Sequence, residues 1–200
     1  MPSRTFLGKI LTSLRKETEG KTSLIGFIGA PWTLAAYSVE GGHSKLCPNF
    51  KRMCLEDPAL AHTFLGKYTD SLCVYASHQI DSGAQVLQIF ESWAHHMSED
   101  QFEVFAKPYV ARIAQYLKQK HPNVPVVYFA NGGSPYLHQQ LELPVDALSI
   151  DWQIYAAASY ARSWLTDTID ASTTPKYAIA GLDENSRGCF AWTLARGLMS

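Results

Sequence analysis

The stretch Leu24 to Gly42, LIGFIGAPWTLAAYSVEGG, limits what this chain can fold into more than any other. It opens with a short apolar run, Leu24 to Ile28, and turns through Gly29, Ala30 and Pro31. Apolar positions at helical spacing follow. An apolar run of that length beside Gly and Pro reads as a buried strand feeding a helix. Glu40, Gly41 and Gly42 close the helix, and Tyr37 lies about a turn inside it. In folds built on parallel strands, ligands bind at the carboxyl ends of the strands. The Gly-Ala-Pro-Trp junction is therefore expected at a mouth.

The rest of the chain repeats strand, polar end, helix. Further strands are expected at Val86 to Phe90, Val124 to Ala130, Ala147 to Ile150 and Tyr177 to Leu182. Tyr37, Ser92, Asn131, Asp151 and Asp183 would then face one mouth. Among the helices, an amphipathic segment with Phe6, Ile10 and Leu14 on one face precedes the first strand. Asp57-Pro58 supplies an N-cap and a first-turn proline. Leu60, Phe64, Tyr68, Leu72 and Tyr75 then form the apolar stripe of a long helix ending near Gly83. Ser98 and Gln101 form a capping box, opening a helix that Pro108 should kink. Ser44 to Leu55 reads as a loop turning helical, and Ser134 to Leu141 as a short helix.

Five such units admit a doubly wound open sheet or part of a (β/α)8 barrel. No phosphate-binding glycine motif follows any strand, which removes support for a nucleotide-binding sheet. Two hundred residues favour a single domain spanning 1–200. A formal charge of −1 gives no field that would suggest nucleic acid or a membrane surface. No apolar stretch approaches the ~20 residues of a membrane helix. Cys47, Cys54, Cys73 and Cys189 are irregularly spaced, which reads as free thiols in a reducing compartment.

Three strand ends carry a resemblance. Gly29-Ala30-Pro31-Trp32-Thr33-Leu34 with Tyr37 and Val39-Glu40-Gly41-Gly42, then Ala84 to Ser92 (AQVLQIFES), then Ala147 to Trp152 (ALSIDW), resemble in order and spacing the uroporphyrinogen decarboxylase family. The likeness runs from about Phe6 to about Asp183 and tips the fold class to α/β, a partial (β/α)8 TIM barrel of about five units. It implies removal of carbon dioxide from the four acetate side chains of uroporphyrinogen III, giving coproporphyrinogen III in porphyrin biosynthesis. It also implies no metal and no organic cofactor, a homodimer, and a cytoplasmic location, or a plastid one if a longer precursor exists. The substrate is its own electron sink. A protonated pyrrole accepts the electrons left by departing carbon dioxide, a carboxylate near the ring nitrogens stabilises that cation, and arginines hold the arms.

The family's arginine-rich N-terminal motif, its ring-binding aspartate strand and its final Gly-His-Gly strand have no counterpart in this sequence, and its Gly-Asn-Leu-Asp-Pro strand is degraded to Ala180 to Glu184. No catalytic residue is therefore assigned. Tyr37 matches the tyrosine that contacts a substrate arm, against the plain reading of a rim tyrosine packed on a helix. Ser92 matches the serine that hydrogen-bonds a carboxylate, against a turn serine. Phe27 and Phe90 form an apolar wall under the macrocycle or pack the core. Asp151 contacts substrate or orients its neighbours.

His95-His96 beside Glu91 invites a metal reading, but adjacent residues on a strand or loop point apart. No zinc is expected. Lys45, Lys51 and Arg52, in the segment after Gly42, either attract an acidic substrate or form a solvated basic helix end. Two functional classes stand: a decarboxylase-type protein whose 200-residue chain is inactive by itself, and a catalytically silent fragment that binds tetrapyrrole or pairs with a full-length homologue. A cobalamin- or thiol-dependent methyltransferase-like barrel ranks behind both, because His43 to Cys47 fits its zinc spacing poorly.

Overall fold

The computed structural model describes residues 2–19, 21–150 and 177–180. Strands β1 (Ile25–Gly29), β2 (Val86–Glu91), β3 (Val126–Ala130), β4 (Ala147–Ile150) and β5 (Tyr177–Ala180) form one sheet in the order of the sequence. Every neighbouring pair is parallel. Crossovers between parallel neighbours are right-handed, so a chain that steps always to the next strand lays its helices on one face. A doubly wound sheet reverses direction at a switch point and covers both faces. The sequential order therefore makes this a segment of a barrel wall, with α1 (Pro2–Glu17), α2 (Pro31–Glu40), α3 (Pro48–Glu56), α4 (Pro58–Asp81), α5 (Glu99–Phe105), α6 (Lys107–Lys120) and α7 (Leu137–Leu141).

Alternation along the strands sorts the side chains. Ile28, Leu87, Ile89, Val126, Tyr128 and Leu148 enter the core between sheet and helices. Ile25 and Phe27 of β1 point to the opposite face, where Phe27 is 63% exposed. The expected punctuation forms as read. The Asp57 carboxylate accepts from the Leu60 N–H at 3.0 Å. Ser98 and Gln101 close a reciprocal capping box. Gly41 ends α2 at φ 73°, a left-handed conformation that suits glycine.

Three helical details differ from the sequence reading. On α4 the buried positions are Ala61, Leu65, Thr69, Leu72, Cys73, Ala76, Ser77 and Gln79, whereas Leu60 and Tyr75 are exposed. That helix packs against α2, α3, α6 and β1, and small side chains let it approach all of them. On α1 the stripe of Phe6, Ile10 and Leu14 is exposed, while Leu11 is buried. Gly8 lies against His78 and Ser82 instead, where a Cβ would come 3.0 Å from Ser82 Oγ. Pro108 does not kink one helix. The chain breaks at Ala106, and Pro108 sits in the first turn of α6, where its missing N–H costs nothing. At β3 pairing begins at Val126, two residues later than read, and β5 is described only to Ala180.

Candidate substrate-binding site

The open face of the sheet carries an aromatic row. Phe27 meets Phe90 edge-on with ring centroids 6.0 Å apart, and Phe90 meets Phe129 edge-on at 5.9 Å. Phe90 and Phe129 are register partners, so their rings share the face. Gln88, the register partner of Phe27, adds an amide beside it. By alternation Ile25, Val86, Val127, Ala147 and Ser149 also lie on this face, and among the described strand residues none on it is charged. Phe129 was not picked out from the sequence. The cue was available, since a parallel strand following Phe90-Glu91 places an aromatic in the same row.

At the carboxyl ends of the strands the rim is built by loops. The Ala30 N–H donates to the Phe90 carbonyl at 2.8 Å, which fixes the turn from β1 into α2. Tyr37, 39% exposed, lays its ring on Trp93 with centroids 4.0 Å apart. Ser92 is half-buried, and its carbonyl accepts from Asn131 Nδ2 at 3.2 Å. Tyr37, Ser92 and Asn131 thus gather at one end of the sheet. Asp151 and Asp183 lie outside the described residues. Gly132, at φ 73°, would bring a Cβ to 2.5 Å from His95 Cβ. Gly132→Ala is therefore expected to cost about 1–3 kcal/mol from backbone strain, more if the loop cannot yield, seen as a lowered thermal midpoint.

Beneath the rim lies a buried acid that sequence reading passed over. Glu91 alternates to the helix side of β2 and is fully buried. Its Oε1 accepts from the Thr33 N–H at 2.9 Å and from the Thr33 hydroxyl. Thr33 Oγ1 in turn accepts from the Trp93 N–H at 3.2 Å. Burial pushes the Glu91 carboxyl up to about 8, against the lowering effect of the two Thr33 bonds. Glu91 is thus protonated at neutral pH. The Tyr128 hydroxyl is buried without a partner among the described residues. Burial, then Glu91, hold it well above the usual tyrosine range.

The adjacent histidines do not point apart. The 3-10 turn Ala94–His96 brings the His95 and His96 rings to 3.9 Å between centroids. A turn with about three residues per revolution does not alternate side chains as a strand does. His96 is held down at about 4, by burial first and then by His95, Lys51 and His43. Among the described residues no group of three His, Cys, Asp or Glu side chains is disposed to hold a metal ion. Cys47 and Cys54 are buried free thiols pushed up to about 11 by burial. No helix of the described residues is long and apolar enough to cross a membrane.

A parallel sheet in sequential order, helices on one face and a polar rim at the carboxyl ends define this as an α/β protein of partial (β/α)8 barrel type. A methyltransferase from Methanosarcina mazei shares the fold, with a TM-score of 0.65 at 21% identity over 74% of this chain and 42% of that one. The sequence profile described as "Uroporphyrinogen decarboxylase (URO-D)" matches residues 3–178. Uroporphyrinogen decarboxylase of Trichodesmium erythraeum is 42% identical over 160 residues, 80% of this chain and 45% of the relative. That of Nostoc punctiforme is 43% identical over 157 residues, 78% of this chain and 44% of the relative. The chain belongs to the uroporphyrinogen decarboxylase family, and it spans a little under half the length of these curated relatives.

Proposed function

We propose that this protein, a single unit over residues 1–200, is of uroporphyrinogen decarboxylase type and supplies one wall of the site that removes the acetate carboxyls of uroporphyrinogen. The observation that carries the reading is the aromatic row of Phe27, Phe90 and Phe129 on the uncovered sheet face. A row of edge-on rings without charge suits the apolar faces of the pyrrole rings of a tetrapyrrole. In this reading Tyr37 and Ser92 at the rim receive its polar arms, and Gln88 offers an amide to the ring edge. Asp151 is retained as a candidate support residue. No metal or organic cofactor enters this scheme. The cytoplasmic location and the pairing into homodimers implied by the family resemblance belong to the same reading.

We further propose that the 200-residue chain does not turn over substrate by itself. The cationic pyrrole intermediate needs a preorganised carboxylate, and none lies among the described residues of the open face. Losing one such group typically costs ~10²–10³ in rate. Purified chain incubated with uroporphyrinogen under reducing conditions is expected to give no products of lower carboxyl count above the no-enzyme control. Hepta- to tetracarboxylate products would overturn this and make Asp151 the first residue to replace.

A further inference from the structure

We propose that His43, His95, His96 and Lys51 form a carboxylate subsite at the rim, beside Tyr37 and Trp93, that takes one acidic arm of a polycarboxylate ligand. Three separate segments converge there: the loop after α2 brings His43, α3 brings Lys51, and the 3-10 turn after β2 brings His95 and His96. Trp93 is the post between them. His43 meets its ring edge-on at 6.1 Å and His96 meets it edge-on at 5.6 Å. Since Tyr37 lies on the same indole, the basic groups and the candidate arm-binding tyrosine share one support.

The charge balance points to an anion. His43, His95 and Lys51 all press on His96, and no acidic group acts on it. Among the described residues none of the four basic groups has a carboxylate partner within ion-pair distance. Glu40, next to this loop, is engaged elsewhere: it accepts from Asn49 Nδ2 at 3.0 Å and from the Phe50 N–H at 2.9 Å. Arg52, on the next position of α3, faces Glu56 and solvent. A solvated basic surface would let its side chains drift apart. Here His96 is half-buried against an indole, so the crowding is built in. A carboxylate between them would gain charge-assisted hydrogen bonds from groups that have no other counter-charge among the described residues. Lys51 supplies the positive charge and the imidazoles supply N–H donors.

This deepens the tetrapyrrole reading, resting on it for the identity of the ligand but not for the carboxylate chemistry. The test uses the full chain, with tricarballylate and uroporphyrin I as separate probes. Imidazole carbon–proton resonances are followed by NMR at constant pH against sodium chloride of equal ionic strength. Tricarballylate is expected to shift His43, His95 and His96 saturably. His62, bonded to Tyr109, and His121, bonded to Ser77, should stay still. Lys51→Met and His96→Asn should each weaken that binding at least fivefold, while an unchanged thermal midpoint for Lys51→Met shows that the fold persists. Shifts that merely follow ionic strength, or binding indifferent to both substitutions, would overturn the proposal. Tricarballylate binding without uroporphyrin binding would support the subsite and count against the tetrapyrrole reading. Uroporphyrin binding equally well to wild type and both variants would overturn the subsite alone.

Discussion

Urea unfolding at pH 6.5 and at pH 8.5 is expected to show a loss of about 2 kcal/mol over that interval, which Glu91→Gln should largely abolish. Glu91 has an ordinary value of 4.5 and a folded value of about 8, so between these the folded state holds a proton that the unfolded chain releases. Stability from such a group is complete below 4.5 and is lost as pH rises toward 8, with a slope of about 1.4 kcal/mol per pH unit. His96 runs the other way. Its folded value of about 4 lies below its ordinary 6.5, so its contribution is complete above 6.5 and is lost only as pH falls. Starting at pH 6.5, where the unfolded His96 is half protonated, limits its opposing contribution to about 0.4 kcal/mol. The buried cysteines, raised from 9.0, add only about 0.2 kcal/mol each by pH 8.5. Glutamine keeps an oxygen to accept both Thr33 bonds but has no proton to lose. A wild type as stable at pH 8.5 as at 6.5 would show that Glu91 is not the neutral buried acid described.

Trp32→Ala is expected to destabilise by about 3–5 kcal/mol, and Trp32→Phe by far less. Trp32 is fully buried and tilted against Phe50 at 4.8 Å, which ties the first turn of α2 to α3. Alanine leaves a cavity between helices that between them carry Tyr37 and Lys51. Phenylalanine keeps most of the contact and removes an indole N–H that has no partner among the described residues. A buried unsatisfied donor costs about 1–3 kcal/mol, which offsets part of the lost volume. Chemical denaturation of the two variants separates the effects, and equal losses would refute the distinction.

Strand positions were legible because each apolar run ends in Gly, Pro or a polar residue, and the parallel order followed from helices between them. Which face of a helix is buried was harder to read. Periodicity marks the largest side chains, yet α4 turns its small residues inward because several elements crowd it, and α1 turns Gly8 inward where it meets His78 and Ser82 at the end of α4. Proline at 108 has the same sequence signature whether it kinks one helix or opens another. In the candidate site, Tyr37 and Ser92 were proposed from motifs, and Phe27 and Phe90 from the strands that carry them. Glu91 was named but not weighed, because its burial depends on Thr33 from a distant segment. Trp93 and the histidine cluster depend on a 3-10 turn whose geometry no periodicity announces.

Phe27 offers the most direct check of the central claim, that the open aromatic face binds a tetrapyrrole. Its ring is largely exposed, so Phe27→Ser should change unfolding stability by no more than about 0.5 kcal/mol. Covering that ring with a macrocycle would contribute about 1.5–3 kcal/mol of binding, or roughly 10- to 100-fold in affinity. The measurement is a titration of wild type and Phe27→Ser with uroporphyrin I, followed by quenching of tryptophan fluorescence. Saturable binding to the wild type, weakened at least tenfold in the variant at unchanged stability, is the expected result. No binding to the wild type, or equal binding by both, would contradict the account.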